Sequence, residues 1–166
     1  NVLDFNGNTE FTFNIWINAD NSSPNNVFLS KYDGAKGYLF RKSSSGANIN
    51  LAVIHSSTKY LSVNSVGGNI VTGVDTMLTV TYDGLSISGI KFYQDGNLLS
   101  SYLLSNSFTF GTHSSSNSAN FNIGSLSGSS SFFGGIEDEV GIWSRALTAS
   151  EITELYNAGA GLQYPN

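Results

Sequence analysis

The polar and apolar positions of this chain alternate in short runs separated by turn residues. Phe11 to Asn18 is the clearest case: Phe11, Phe13, Ile15 and Ile17 take one parity, while Thr12, Asn14, Trp16 and Asn18 take the other. That period of two marks a strand with one dry face. Strands are likewise expected over Val2 to Phe5, Val27 to Lys31, Gly37 to Arg41, Asn48 to His55, Tyr60 to Val63 and Met77 to Tyr82. Ile90 to Gln94 and Leu98 to Leu103 flank Asp95-Gly96, a pair that supplies the positive φ angles of a type I′ hairpin turn. Ser/Asn/Gly loops at 114–120 and 124–131 surround the short run Phe121 to Gly124. The strand Ile136 to Ile142 follows, with Ile136, Asp138, Val140 and Ile142 on one parity.

Only after Thr148 does the period lengthen. Ile152, Leu155 and Tyr156 are spaced as on one face of a short helix, and Thr148 with Glu151 forms a T-x-x-E capping box. Gly159 and Gly161 supply the expected stop. Many short strands and one helix read as an all-β fold, a jelly-roll β-sandwich of two antiparallel sheets with one short C-terminal helix. At 166 residues the chain fits one domain, over 1–162, with 163–166 as a linker or tail.

Composition narrows the function classes. Charged residues are only 11% and the net charge is −5, with Ser, Asn, Thr and Gly supplying the polarity. Such a surface suits neutral polar ligands. It carries no basic stripe for the phosphates of a nucleic acid, and no apolar run reaches the length of a membrane span. The absence of cysteine excludes disulfides and thiolate chemistry. The chain starts at Asn1 with neither signal peptide nor initiator Met, as expected of an excised module or a mature form.

Candidate chemistry is sparse. Glu137, Asp138 and Glu139 are consecutive, so alternation puts Glu137 and Glu139 on one face and Asp138 on the other. Asp138 would then point inward with Val140 and Ile142, where a carboxylate needs backbone amides, Arg145 or a cation. His55 and His113 read as polar rim residues, since no nucleophile motif accompanies them. Among the aromatics, Trp16 could make a sugar platform or pack under a helix, and Trp143 is expected to pack on Leu155 or Tyr156. Tyr32, Asp33, Lys36 and Tyr38 cluster at a hairpin tip and are the better guess for ligand contact.

The stretch from Ile136 to Tyr156 resembles the C-terminal signature of laminin-G-like jelly rolls of the concanavalin A-like lectin/glucanase superfamily, G-x-I-D-E-V-x-I-[YW]-x-R-A-L-[ST]-x-x-E-I-x-x-L-Y. Asp138, Glu139, Val140, Ile142, Trp143, Arg145, Ala146, Leu147, Thr148, Glu151, Ile152, Leu155 and Tyr156 stand at its positions, with Glu137 as an extra residue. LSKYDGAKGYLF, the Thr81-Tyr82-Asp83-Gly84 turn and the Asp95-Gly96 hairpin are similar to further family patterns, although Met77-Leu78-Thr79 stands where Trp-His is common.

The resemblance implies a non-catalytic, lectin-like module of a larger secreted protein. It would bind a glycan or polysaccharide and sit outside the cell, on a cell surface or on a virion. The alternative is a protein-binding adhesion or spacer module, for instance of a phage tail. A glycoside hydrolase ranks lower, because the family's E-x-D-x-E spacing is missing. The resemblance further implies a structural Ca²⁺, held by Asp138 and by backbone carbonyls near Asn6 and Gly7.

Overall fold

The computed structural model describes residues 3–5, 9–20, 26–43, 48–107 and 114–162. Ten strands form one antiparallel sheet in the order β10-β1-β6-β7-β8-β5-β4-β3-β2-β9. β1 is Phe11–Ala19, β2 Val27–Tyr32, β3 Gly37–Lys42, β4 Ile49–Ser56 and β5 Lys59–Val66. β6 is Asp75–Tyr82, β7 Lys91–Gln94, β8 Asn97–Asn106, β9 Asn122–Ile123 and β10 Gly135–Trp143. The sheet is curled. Phe13 on β1 and Tyr38 on β3 stand six strands apart in the order, yet their ring centroids are 5.2 Å apart.

The alternation of apolar residues is the cause of this closure. Phe11, Phe13, Ile15 and Ile17 of β1 are buried with Leu78, Val80 and Phe92 of the same half of the sheet. Leu29, Tyr38, Phe40, Leu51, Val53, Leu61 and Val63 of the other half complete the same core. β8 borders both halves, pairing with β7 over Asn97–Leu99 and with β5 over Ser100–Asn106. The sheet is therefore all-β and consistent with a jelly roll.

Thr148 caps α1 (Ala149–Tyr156) by the expected reciprocal box with Glu151. The helix ends one step earlier than the glycines suggest. Asn157 takes the left-handed conformation at φ 46° and donates its backbone N–H to Thr153 O, so an asparagine does the work expected of Gly159. The Asp95-Gly96 turn has positive φ at both residues (52° and 77°), as a type I′ turn requires. No strand forms over residues 3–5, so the expected first strand is corrected there; Val2 and the 163–166 tail lie outside the described residues.

A second, smaller core lies on the outer face of β1 and β6. Met77, Tyr93, Leu147 and Ile152 are buried there, with Trp16, Trp143, Leu155 and Tyr156 packed on them. Thr12 Oγ1 accepts from Leu147 N (2.9 Å) and donates to Arg145 O (2.8 Å), which fixes the approach to the helix. The Trp143 ring lies over Gly141, where an added Cβ would collide with it.

Phe13→Ala should be the costly change in the main core, because its ring stacks on Phe11 and Tyr38 and meets Phe5 edge-on. A loss of about 3–5 kcal/mol is expected from the cavity and the lost burial, read as the shift of a chemical denaturation midpoint. A change under about 1 kcal/mol would contradict this packing.

Candidate functional site

Two places hold the chemistry expected from the sequence, and a third is assembled only by the fold. The first is the outer side of β1. Trp16 points outward but is roofed by the helix, its ring stacked on Tyr156 at 5.8 Å and 13°. The indole N–H is buried without a hydrogen-bond partner among the described residues. Beside it opens a cleft of about 210 Å³, walled by Trp16, Asn18, Asp75, Asp138 and Glu139 and by the backbone of 159–161. Asn18 donates to Asp75 at 2.7 Å. Trp16 is thus a wall of this cleft with one ring face covered by Tyr156.

Here the expected role of Asp138 is corrected. β1 pairs with β10 as Asn14↔Gly141 and then Trp16↔Asp138, so β10 carries an extra residue opposite Ile15. The extra residue is a bulge, with Glu139 at φ 48°. The bulge reverses the parity of everything before it. Asp138 faces outward with Trp16 and accepts from Glu139 N (2.8 Å), while Ile17↔Glu137 turns Glu137 inward. Arg145 pairs with Glu151 through both terminal nitrogens (2.9 and 2.6 Å), not with Asp138.

Asp138 is therefore an outward, exposed carboxylate and not the inward one expected, while the backbone carbonyls of the expected calcium site are not among the described residues. Asn6, Gly7 and His113 lie outside the described residues. The bulge also breaks the expected face shared by Glu137 and Glu139. Glu137 Oε1 is buried with no partner among the described residues, and an added Cβ on Gly124 would stand 2.6 Å from its Oε2. Glu139 lies instead against Gly161.

The second place is the β2–β3 hairpin. Asp33 Oδ1 accepts from Ala35 N (2.9 Å) and Lys36 N (2.7 Å), and these bonds hold its carboxyl below the usual range. Tyr32 donates its hydroxyl to Gly34 O (2.8 Å). Asp33 and Lys36 are exposed and Tyr32 half-buried, beside the turn at Leu126–Ser130. Tyr38 is a correction. Its partner Lys31 faces inward, so the ring of Tyr38 enters the aromatic core at 1% exposure and its hydroxyl donates to Leu3 O (3.0 Å).

The third place is the outer face of β2, β3, β4, β5 and β8, which the sequence alone does not bring together. Register lines up Arg41, Asn50, Asn64 and Tyr102 in one cross-strand row. Next to it runs the row Ser30, Leu39, Ala52, Ser62 and Ser105, and then Tyr32, Gly37, Ile54 and Tyr60. Asn50 and Asn64 are fully buried within the first row and act as brackets. Asn50 Oδ1 accepts from Arg41 Nε (3.0 Å), and Asn50 donates to Asn64 Oδ1 (2.8 Å). Asn64 donates to the Tyr102 hydroxyl (3.0 Å), which also accepts from Asn48 (3.3 Å).

Two groups are thereby presented in fixed positions, the Arg41 guanidinium and the Tyr102 ring. They stand three strands apart, roughly 14 Å at the usual strand spacing. Tyr60 and Tyr102 are 37% and 39% exposed. Leu39, Ala52 and Ser62 form a low floor between the rows.

The family model of the concanavalin A-like lectin/glucanases superfamily matches residues 1–153. No curated protein sequence matches. Among solved structures, the CBM40 of a Ruminococcus gnavus IT-sialidase bound to α2,3-sialyllactose aligns at TM-score 0.64 and 13% identity, over 89% of this chain and 83% of that one. Domain 4 of a GH43 extracellular arabinanase from Geobacillus stearothermophilus, in complex with arabinotriose, aligns at 0.62 and 21%, over 90% and 68%. The binding domain of botulinum neurotoxin serotype G aligns at 0.63 and 17%; 93% of this chain covers only 37% of that one. At these identities the likeness is one of fold.

The half-buried Glu137 makes a pH prediction. Burial pushes its carboxyl up to about 8 from an ordinary 4.5. The folded pKa is raised, so the protonated side chain contributes stability fully below about pH 4.5. That contribution falls as pH rises toward 8 and changes no further above it. Melting curves should show the wild type losing ground to Glu137→Gln between pH 5 and pH 8. Parallel curves would show that the carboxyl is solvated.

Proposed function

The chain belongs to the concanavalin A-like lectin/glucanase superfamily, and on that premise we propose that it is a non-catalytic carbohydrate-binding module built as a two-layered jelly roll. The observation that carries this reading is the outer face of β3, β4, β5 and β8. It sets the exposed rings of Tyr60 and Tyr102 beside a guanidinium, with Tyr102 and Arg41 held by buried amides, over a floor of Leu39, Ala52 and Ser62. Aromatic rings take the C–H faces of a sugar and fixed polar groups take its hydroxyls. Groups already oriented lose little freedom when the ligand arrives. Tyr32 edges the same face, and Asp33 and Lys36 flank it from the hairpin tip.

The fold neighbours support the reading, since two are named for carbohydrate-bound complexes. The non-catalytic assignment rests on Glu137 and Glu139. One is packed inside and the other lies at the bulge, so they do not frame a sugar between them. No described helix is long and apolar enough to cross a membrane. Placement outside the cell, on a cell or virion surface, follows from the proposed ligand.

A second reading has its own observation. Val66, Leu98, Leu103 and Leu104 are 43–61% exposed along β5 and β8, as on a protein-binding strand. A protein-binding adhesion or spacer module would use this strip and leave glycans unbound.

A glycan-array screen separates the two. Tyr102→Ala and Tyr60→Ala should each weaken glycan retention about three- to tenfold, or roughly 0.7–1.4 kcal/mol; the melting temperature should be little changed in Tyr60→Ala and lower in Tyr102→Ala, which takes a partner from the buried Asn64 amide. Full retention in both variants would move the site off this face. Repeating the screen and the melt in EDTA tests the structural Ca²⁺ implied by the family: a lower melting temperature establishes the ion, and an unchanged one removes it.

A further inference from the structure

Resting on the carbohydrate reading of that face, we propose that its preferred ligands are acidic glycans, with a sugar carboxylate seated on the two terminal nitrogens of Arg41. The first argument is an unmatched charge. All twelve Asp and Glu residues lie among the described positions. The ion pairs they make are Lys31–Asp4 (2.9 Å) and Arg145–Glu151 (2.6 Å), and none reaches Arg41. The Arg41 side chain is half-buried, and its loss of solvent lowers the guanidinium pKa without removing the charge. A desolvated cation with no counter-charge is costly, and a carboxylate arriving with the ligand offsets that cost.

The second argument is geometry. Arg41 spends Nε on the amide oxygen of Asn50, at 3.0 Å. That bond fixes the guanidinium plane and turns the opposite edge, with its two Nη groups, toward the ligand. Two parallel N–H donors match the two oxygens of a carboxylate, the arrangement that Arg favours over Lys.

The third argument is the distribution of charge. Residues 34–74, which supply β3, β4 and β5, contain no Asp or Glu but hold four of the seven cations: Lys36, Arg41, Lys42 and Lys59. Residues 96–136, which supply β8, contain no acid at all. The carboxylates lie at Asp4, Glu10, Asp20 and Asp33, at the ends of β6 and β7, on β10 and on the helix. A protein of net charge −5 thus carries a face whose strands β3, β4, β5 and β8 bear no acid, with Asp33 at the hairpin tip as the flanking carboxylate. The net charge repels polyanions, while the local field admits a glycan bearing one or a few carboxylates.

The test is calorimetric titration of matched glycans that differ in one group: 3′-sialyllactose against lactose, and oligogalacturonate against its carboxyl-reduced form, with a sulfated lactose as a third arm. The carboxylates are expected to bind at least about tenfold more tightly than their neutral partners. Arg41→Gln should erase that difference while leaving weak neutral binding, and Arg41→Lys should recover part of it. Equal affinity for charged and neutral members, or an Arg41→Gln protein that keeps the preference, overturns the inference and leaves the carbohydrate reading standing. Stronger binding of the sulfated arm than of the carboxylates also overturns it. Binding of no glycan overturns both. The wild-type comparison of charged and reduced ligands decides alone if the variants do not fold.

Discussion

The packing of Phe5, Phe11, Phe13 and Tyr38 is the constraint on which the remaining structure depends. The four rings come from an irregular N-terminal segment, from β1 and from β3, and their centroids lie 4.6 to 6.4 Å apart. Once these rings meet, the two halves of the sheet must face each other. Strand parity then leaves every second residue outside, and what lies outside is the whole functional repertoire. Sequence selects the inner residues for size and the outer ones for chemistry.

The two outer faces have opposite fates. That of β1 and β6 is covered, because Met77 and Tyr93 are apolar there and the helix brings Leu147 and Ile152 to bury them. That of β3, β4 and β5 has Arg41, Asn50 and Asn64 instead, side chains that no apolar helix could cover without leaving polar groups unpaired. The buried amides satisfy one another along the row, an arrangement that needs no second layer.

Much of this was legible in the sequence. The inner parity of β1, the Asp95-Gly96 turn and the T-x-x-E cap appear as read, because each depends on neighbours in the chain. The failures share a cause: they depend on pairing partners. Asp138 shares parity with Val140 only if β10 is regular, and the bulge at Glu139 is visible only against Ile15. Tyr38 sits near a turn, but its direction is set by Lys31 across the hairpin. The row from Arg41 to Tyr102 joins four strands far apart in the chain. Its one sequence signal is that Arg41, Asn50 and Asn64 each occupy the polar parity of a strand, and no spacing rule connects them.

β8 has a consequence of another kind. A single ten-residue strand is hydrogen-bonded into both halves of the sheet, so the seam between the halves has no free edge and the edges lie at β10 and β9. Parting the two halves means breaking the pairing of β8 with β5 or with β7. A ligand resting on Tyr102 therefore bears on a strand common to both layers. Its binding energy opposes any opening that parts β8 from either layer, the far layer of β6 and β7 included.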